Sequence, residues 1–289
     1  MSETLELAIL PFQLPFMQSA FVVTLMIAIP MALLSCLLVL KGWSLMGDAL
    51  AHAIVPGVAL AYLLKVPYAA GAFFSGLLAA LAMALVRLRT QLREDAVIGV
   101  VFTTFFAVGL LIVSINPTSV DVQSIVLGNI LGIADEDVVQ VAIIAAVSLA
   151  VLMLRWRDLM LVFFDENQAR AVGLSPTRLK ILFFVLLSAC TVAALQTVGA
   201  VLVIAMVITP GATAYLLCDR FGRLICVAVA LGVVTSAAGA YASYFLDGST
   251  GGLIVVFQTL LFLAAFVFAP KHGRLAAARA ARSVSETAP

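Results

Sequence analysis

Long apolar runs separated by short polar connections occupy most of this chain of 289 residues. A helix needs about 20 mostly apolar residues to cross the hydrocarbon core of a bilayer. Nine runs approach that length, and the second is short and interrupted by Pro56. They lie at 16–40, 48–64, 67–87, 95–114, 137–155, 179–195, 198–217, 223–246 and 252–269. The pattern therefore predicts an all-α polytopic membrane protein with eight or nine transmembrane helices. A shorter apolar piece at 122–133 predicts a half-helix or a re-entrant segment.

The composition agrees with a lipid environment. Hydrophobic residues make up 64% of the chain and charged residues 11%, whereas a soluble domain carries about 25% charged residues. The net charge of +1 provides no basic surface for nucleic acid. The four cysteines lie in or beside apolar runs and are interpreted as packing residues. They are Cys36, Cys190, Cys218 and Cys226.

Lysine and arginine predict the orientation, because cytoplasmic connections of membrane proteins are enriched in both. Basic residues cluster at 87–93, 155–180 and 220–223 and in the C-terminal tail. The connections that alternate with these clusters lie at about 115–136, 196–197 and 247–251 and contain no lysine or arginine. The first and the last of them contain acidic residues. The C-terminus is therefore predicted to be cytoplasmic. Nine spans would place the N-terminus outside the cell, and eight would place it inside.

The runs divide the chain into three parts. Residues 1–15 form an N-terminal segment, 16–271 a transmembrane domain, and 272–289 a polar cytoplasmic tail. The longest basic connection between spans is 156–178, which is too short for a soluble catalytic domain. The sequence contains no GxxxxGK[ST] motif, so we expect no ATP hydrolysis by a P-loop in this chain.

Asp48 and His52 are the residues best suited to chemistry. An ionisable side chain inside a membrane span is costly and usually functional. The i, i+4 spacing places both side chains on one face of a helix, where they suit manganese, ferrous iron or zinc. The alternative is a hydrogen-bonded pair that only packs helices. Two ligands are too few for one ion, and two subunits related by a two-fold axis would supply two of each.

Two proline–glycine pairs predict irregular helices. Pro56 and Gly57 follow His52 by about one turn, and proline there removes a backbone donor. Broken helices of this kind line ion paths in transporters, although an ordinary kink is the alternative. Pro210 and Gly211 predict a break near the cytoplasmic end of the seventh run. This pair is interpreted as a flexible gate or a packing element, and a plain kink is the alternative.

The long basic connection contains a predicted helix of about two turns. Asp165 and Glu166 favour its N-terminus through the helix dipole. Gly173 suits the position just after its end, and Pro176 prevents continuation. Ala169 and Gly173 would form a small-residue side suited to docking of another protein, such as an ATPase. The alternative is a connector that lies on the membrane surface.

These residues resemble the metal-type ABC import permeases that serve manganese, zinc and chelated iron. The resemblance covers about residues 16–271. It is most specific in the block from Lys41 to Val58, and it returns at 164–173, at 198–199, at 206–214 and at 269–270. It implies a fold related to that of the vitamin B12 importer permeases. It also implies that Asp48 and His52 bind the transported metal and that the loop helix docks on an ATPase.

The resemblance further implies several partners. These are a dimer of ABC ATPase subunits, an extracytoplasmic metal-binding protein, and a second permease that is either identical or a paralogue. The chain would be a non-enzymatic transport subunit of the bacterial inner membrane. It would have no permanently bound cofactor and would move manganese or iron, with zinc as a third candidate.

Two other classes of protein remain open at this point. A proton-coupled secondary transporter would use Asp48 and His52 as a proton relay and would need no ATPase. A membrane scaffold without transport activity would use the connection at 156–178 to bind its partner.

Overall fold

The computed structural model describes residues 9–43, 45–115 and 133–269. Within these ranges, all regular secondary structure is helical. The predicted short piece at 122–133, apart from residue 133, and the tail at 272–289 lie outside the described residues. The helices are α1 (Pro15–Lys41), α2 (Leu45–Ala53), α3 (Val55–Leu64), α4 (Tyr68–Arg89), α5 (Glu94–Ile115), α6 (Asp135–Phe164), α7 (Glu166–Ala171), α8 (Pro176–Val198), α9 (Ala200–Leu217), α10 (Phe221–Leu246) and α11 (Thr250–Phe268).

The number of spans agrees with the prediction of eight or nine. Eight stretches of the described chain are long and apolar enough to cross a membrane. One of them, Leu45–Leu64, consists of α2 and α3 in succession. The seventh predicted run, at 198–217, is not among these eight stretches and forms α9, which has 18 residues. At about 1.5 Å per residue, α9 is somewhat shorter than a hydrocarbon core of about 30 Å.

Helix α1 is the centre of the bundle and packs against α6, α9 and α10. Its interior face includes Val23, Met31 and Leu34, which are all inaccessible to solvent. The helix ends at Lys41 because Gly42 adopts a left-handed conformation, with φ of 74°. The Trp43 N–H then donates to the Leu38 carbonyl oxygen at 2.8 Å, which completes a Schellman turn. This turn redirects the chain into α2.

Large apolar side chains cover the outside of the bundle. Phe74, Leu154 and Phe268 are 67%, 82% and 71% exposed. Such a surface would be unfavourable in water and is suited to acyl chains. Cys36 and Cys190 are buried as predicted for packing residues, whereas Cys226 is exposed.

Helix α6 extends beyond the predicted end of its span. It continues to Phe164, so the connection predicted at 156–178 is itself mostly helical. Leu159 and Val162 are fully buried in this extension, and Arg155 pairs with Asp158 at 2.8 Å on its exposed side. Packing of the apolar side against the bundle therefore continues the helix past the charged residues.

Candidate metal site and coupling region

The predicted Asp–His pair lies on the short helix α2. The Nδ1 atom of His52 is 3.2 Å from Oδ1 of Asp48 and 3.0 Å from the Asp48 carbonyl oxygen. In the tautomer that has its proton on Nδ1, the imidazole donates a hydrogen bond to these two oxygens of Asp48. The Nε2 atom of the same tautomer is an acceptor. A carboxylate that orients a histidine in this way is common around metal ions. The geometry thus combines the predicted hydrogen bond with one ring nitrogen suited to binding a cation.

The surroundings of His52 place the pair at the side of the bundle. Its ring packs edge-on against Phe102 and Phe106 of α5, with centroids 5.4 and 5.7 Å away. The side chains of His52 and Asp48 remain 35% and 40% exposed. Helix α5 is itself poorly covered by the rest of the chain, because only 17% of its apolar stretch is buried. The pair therefore opens onto a surface that this chain leaves uncovered.

Asp48 and His52 provide two candidate metal ligands, which are too few for one ion. No group of three or more His, Cys, Asp or Glu side chains suited to a metal occurs among the described residues. Since an exposed carboxylate facing lipid would be costly, the uncovered side of α2 and α5 is the one where further ligands or water would be needed.

Pro56 begins a new helix beside this pair. Helix α2 ends at Ala53, and Pro56 is in the first turn of α3, where a missing N–H is tolerated. The Ser75 hydroxyl donates to the Ala53 carbonyl oxygen at 2.7 Å. His52 is in the last turn of α2, where the helix C-terminus favours positive charge.

Gly57 allows the neighbouring helix to come close. A Cβ atom built at this position would overlap the Gly71 carbonyl oxygen of α4, and one built at Gly71 would overlap the Gly57 carbonyl oxygen. On another side, Gly109 of α5 faces the Pro56 nitrogen, 2.8 Å from where its own Cβ would lie. These glycines thus allow the break between α2 and α3 to pack closely against both α4 and α5.

Pro210 and Gly211 are arranged differently. Helix α9 continues through Pro210 without a break. Ser35 of α1 accepts a hydrogen bond from the Gly211 N–H at 3.0 Å and donates one to the Ile208 carbonyl oxygen at 3.1 Å. The break predicted at this pair is therefore wrong. These two bonds pack α9 against α1, and the role as a gate stays a prediction.

The predicted loop helix is α7. Oδ1 of Asp165 accepts from the N–H groups of Asn167 and Gln168 at 2.9 and 3.0 Å, as an N-cap does. Gly173 has φ of 83°, and the Leu174 N–H reaches the Ala169 carbonyl oxygen at 3.0 Å. The start and end predicted from Asp165 and Gly173 are both confirmed.

The two small residues of α7 have different surroundings. Ala169 is 0% exposed, so its methyl group packs within this chain and lets α7 approach the bundle. Gly173 is exposed and has open space beside it. The outward side chains are those of Asn167, Gln168 and Arg170.

Glu166 attaches α7 to two transmembrane helices. Its Oε1 accepts from Lys41 at the end of α1, at 3.3 Å, and from Lys180 of α8, at 2.5 Å. Partial burial raises the pKa of Glu166, but the two ammonium groups outweigh this effect and leave the pKa below its usual value. The sequence suggested neither lysine as a partner of Glu166. Lys41 is 125 positions from Glu166 and Lys180 is 14 positions from it, and no helical spacing rule connects residues so far apart. The only available signal was that both lysines belong to the ends of spans.

A polytopic helical bundle with an ionisable pair beside a broken helix is the architecture of a membrane transport protein. The sequence profile of the ABC 3 transport family matches residues 13–269, and the chain belongs to this family, the metal-type ABC permeases.

Similar proteins agree with this assignment. The chain is 69% identical over 272 residues to the chelated iron transport system membrane protein YfeC of Yersinia pestis, covering 94% of this chain and 92% of that protein. It is 48% identical to the manganese transport system membrane protein MntB of Synechocystis, covering 92% and 87%. The solved structure of PsaBC from Streptococcus pneumoniae in complex with Fab matches with a TM-score of 0.80 at 33% identity, covering 90% and 94%.

Proposed function

We propose that this chain is the permease subunit of an ATP-driven importer of manganese or iron, with zinc as a third candidate. In this proposal Asp48 and His52 bind the ion during its passage. The observation that supports it most is their position, on a helix that ends directly after His52 and on a side that the chain leaves uncovered. A second permease, identical or paralogous, covers that side and completes the ligand set.

The choice of metal rests on the ligands and on the relatives. One carboxylate and one imidazole suit manganese, ferrous iron and zinc. The names of YfeC and MntB refer to chelated iron and to manganese. The ligands therefore allow all three metals, and the names of the relatives support manganese and iron ahead of zinc.

The partners follow from the same proposal. An extracytoplasmic binding protein delivers the ion to a permease of the bacterial inner membrane. ATP is hydrolysed by a separate pair of ABC ATPases, which dock on α7 at the cytoplasmic side. Asn167, Gln168, Arg170 and Gly173 provide the contact surface, while Asp165, Glu166 and Ala169 hold α7 in place. The C-terminus is cytoplasmic in this orientation, as the basic ends of the spans indicate.

Two substitutions test the site. We expect Asp48→Ala and His52→Ala each to reduce uptake to background, because each removes a ligand from the path or its orienting partner. Accumulation of manganese, iron and zinc is measured element by element in cells that lack the native protein.

A matched control separates the site from general damage. Asp158→Asn removes another acidic group, whose partner Arg155 lies on the exposed side of α6, and should leave uptake unchanged. Co-purification of the ATPase shows that each variant still assembles, and a permease that transports without one would instead be a secondary transporter. Normal uptake by both site variants would remove Asp48 and His52 from the mechanism.

A further inference from the structure

Gly42 and Trp43 form the turn between α1 and α2, and this α1–α2 turn is bonded to both helices. The Trp43 N–H donates to the Leu38 carbonyl oxygen of α1 at 2.8 Å, and the Trp43 carbonyl oxygen accepts from the Met46 N–H of α2 at 3.0 Å. Asp48 follows Met46 closely in the same helix. A displacement of the α1–α2 turn would therefore move the start of the helix that contains the candidate metal ligands.

An ion pair connects this turn to α7. Lys41, the last residue of α1, directly precedes the turn, and its Nζ is 3.3 Å from Oε1 of Glu166, the first residue of α7. The side chains of Lys41 and Glu166 are only 20% and 27% exposed, so salt screens this pair less than a pair on the open surface. The pair therefore ties the proposed ATPase-docking helix to the α1–α2 turn.

Aromatic packing forms a second connection to the same turn. The Trp43 ring packs edge-on against Phe163 in the last turn of α6, with centroids 5.4 Å apart, and stacks on Phe184 of α8 at 5.7 Å. All three side chains are buried. Since Phe163 lies just before the start of α7, the segment that leads into α7 also contacts the turn. Close-packed interiors transmit displacement because they are hardly compressible.

We propose that Lys41 and Glu166 are positioning residues for metal transport. This inference rests on the proposed function, in which the ATPase docks on α7 and Asp48 and His52 bind the ion. When ATP binding displaces α7, the ion pair passes the displacement to the α1–α2 turn and hence to α2. The pair contacts neither the ion nor the nucleotide, and its role is to make the position of Asp48 depend on the state of the ATPase.

Lys180 provides a matched control, because it pairs with the same carboxylate. Its Nζ is 2.5 Å from Oε1 of Glu166, but Lys180 belongs to α8, which is not adjacent to α2 in the chain. Lys180→Met therefore removes one of the two cations beside Glu166 and leaves the connection to α1, whereas Lys41→Met removes that connection. Lys41→Arg keeps the positive charge and should keep the coupling.

The first measurement is the amount of manganese transported per ATP hydrolysed, in proteoliposomes that contain the permease with its ATPase and binding protein. Coupling between two sites typically corresponds to a factor of about 5–150, so we expect Lys41→Met to lower this ratio at least about fivefold while ATP hydrolysis continues. Lys180→Met and Lys41→Arg should keep the ratio. Glu166→Gln weakens the same pair from the other side and decides by the same criterion if Lys41→Met does not assemble.

The second measurement follows the turn itself. The protein has two tryptophans, so Trp156→Phe leaves Trp43 as the only tryptophan of the permease. This permease is labelled with 5-fluorotryptophan, assembled with unlabelled ATPase and observed by fluorine NMR. We expect a non-hydrolysable ATP analogue to shift the Trp43 signal. The shift should be largely lost in Lys41→Met and retained in Lys180→Met.

Three results would overturn the proposal. These are an unchanged transport ratio in Lys41→Met, equal losses in Lys41→Met and Lys180→Met, and a Trp43 signal whose response to the ATP analogue is the same with and without Lys41. Failure of the proposed function looks different, because the unmodified permease would then purify without an ATPase or Asp48→Ala and His52→Ala would transport normally. The fluorine signal requires no metal, so it remains informative if Asp48 and His52 are not the metal site.

Discussion

The two proline–glycine pairs look alike in the sequence but have different surroundings in the structure. Pro56 is in the first turn of a new helix, directly after α2 ends at Ala53. Pro210 is inside α9, which continues through it. At the first pair two glycine backbones meet, and at the second a serine from α1 bonds to the backbone around the proline.

The difference shows what determines the effect of a proline. A proline in the first turn loses no hydrogen bond within its own helix, although it cannot continue the helix before it, whereas a proline inside a helix leaves a carbonyl group without its usual donor. At Pro210 the hydroxyl of Ser35 bonds to the adjacent backbone groups. At Pro56 the break is kept and lies one turn from His52. The first pair therefore shapes the candidate metal site, and the second supports the bundle.

The largest expected effect is at Gly57. The methyl group of Gly57→Ala would overlap the Gly71 backbone and lie 2.5 Å from Cβ of Ser75, and overpacking of this kind costs about 1–3 kcal/mol or more. We expect a large loss of folded permease, measured by size-exclusion chromatography and melting temperature. Gly222→Ala is the control because open space surrounds that position. Equal stability of the two variants would show that α3 and α4 are not closely locked.

The next effect concerns transport. Pro56→Ala restores a backbone donor and favours one continuous helix in place of α2 and α3, so we expect metal uptake to fall severalfold while the complex still assembles. Pro210→Ala, in a helix that is already continuous, should change uptake little. Isotope or element accumulation per assembled complex measures both. If the two variants lower uptake equally, the structural difference between the two proline–glycine pairs does not affect transport.

The smallest effect concerns stability alone. Ser35→Ala leaves the buried Gly211 N–H without its acceptor, at a cost of about 1–3 kcal/mol, and should lower the melting temperature without changing uptake per folded complex. Ser188→Ala provides the matched comparison, because the Ser188 hydroxyl is buried and has no hydrogen-bond partner among the residues that the structure describes. We expect that variant to be as stable as the unmodified protein. A Ser35→Ala protein that melts normally would refute the role of this serine.

Local features of the fold were predictable from the sequence because they depend on neighbouring residues. The N-cap at Asp165, the left-handed glycine at 173 and the helix start at Pro176 each follow from backbone chemistry within a few positions. The i, i+4 spacing of Asp48 and His52 likewise predicted that the side chains would meet. The end of α2 beside Pro56 followed from the missing N–H.

Features that depend on distant residues could not be predicted in this way. The contact of Ser35 with Gly211 joins positions 176 apart, and no spacing rule connects them. The burial of Ala169 could not be predicted, because a small side chain such as alanine suits both a surface that docks another protein and a buried contact within the chain. The site stays open on one side because part of its surroundings belongs to a second subunit in our proposal, and one sequence cannot show that surface.

The length of the span that α2 and α3 form together indicates how deep the imidazole of His52 lies. Helices α2 and α3 together form one span of 20 residues, Leu45–Leu64, and His52 is about 4 Å from its midpoint at 1.5 Å per residue. An ion at this position has nearly the same thickness of low-dielectric material on either side. The site would thus be equally distant from both aqueous compartments, and the direction of transport would depend on which vestibule is open when the ion arrives or leaves.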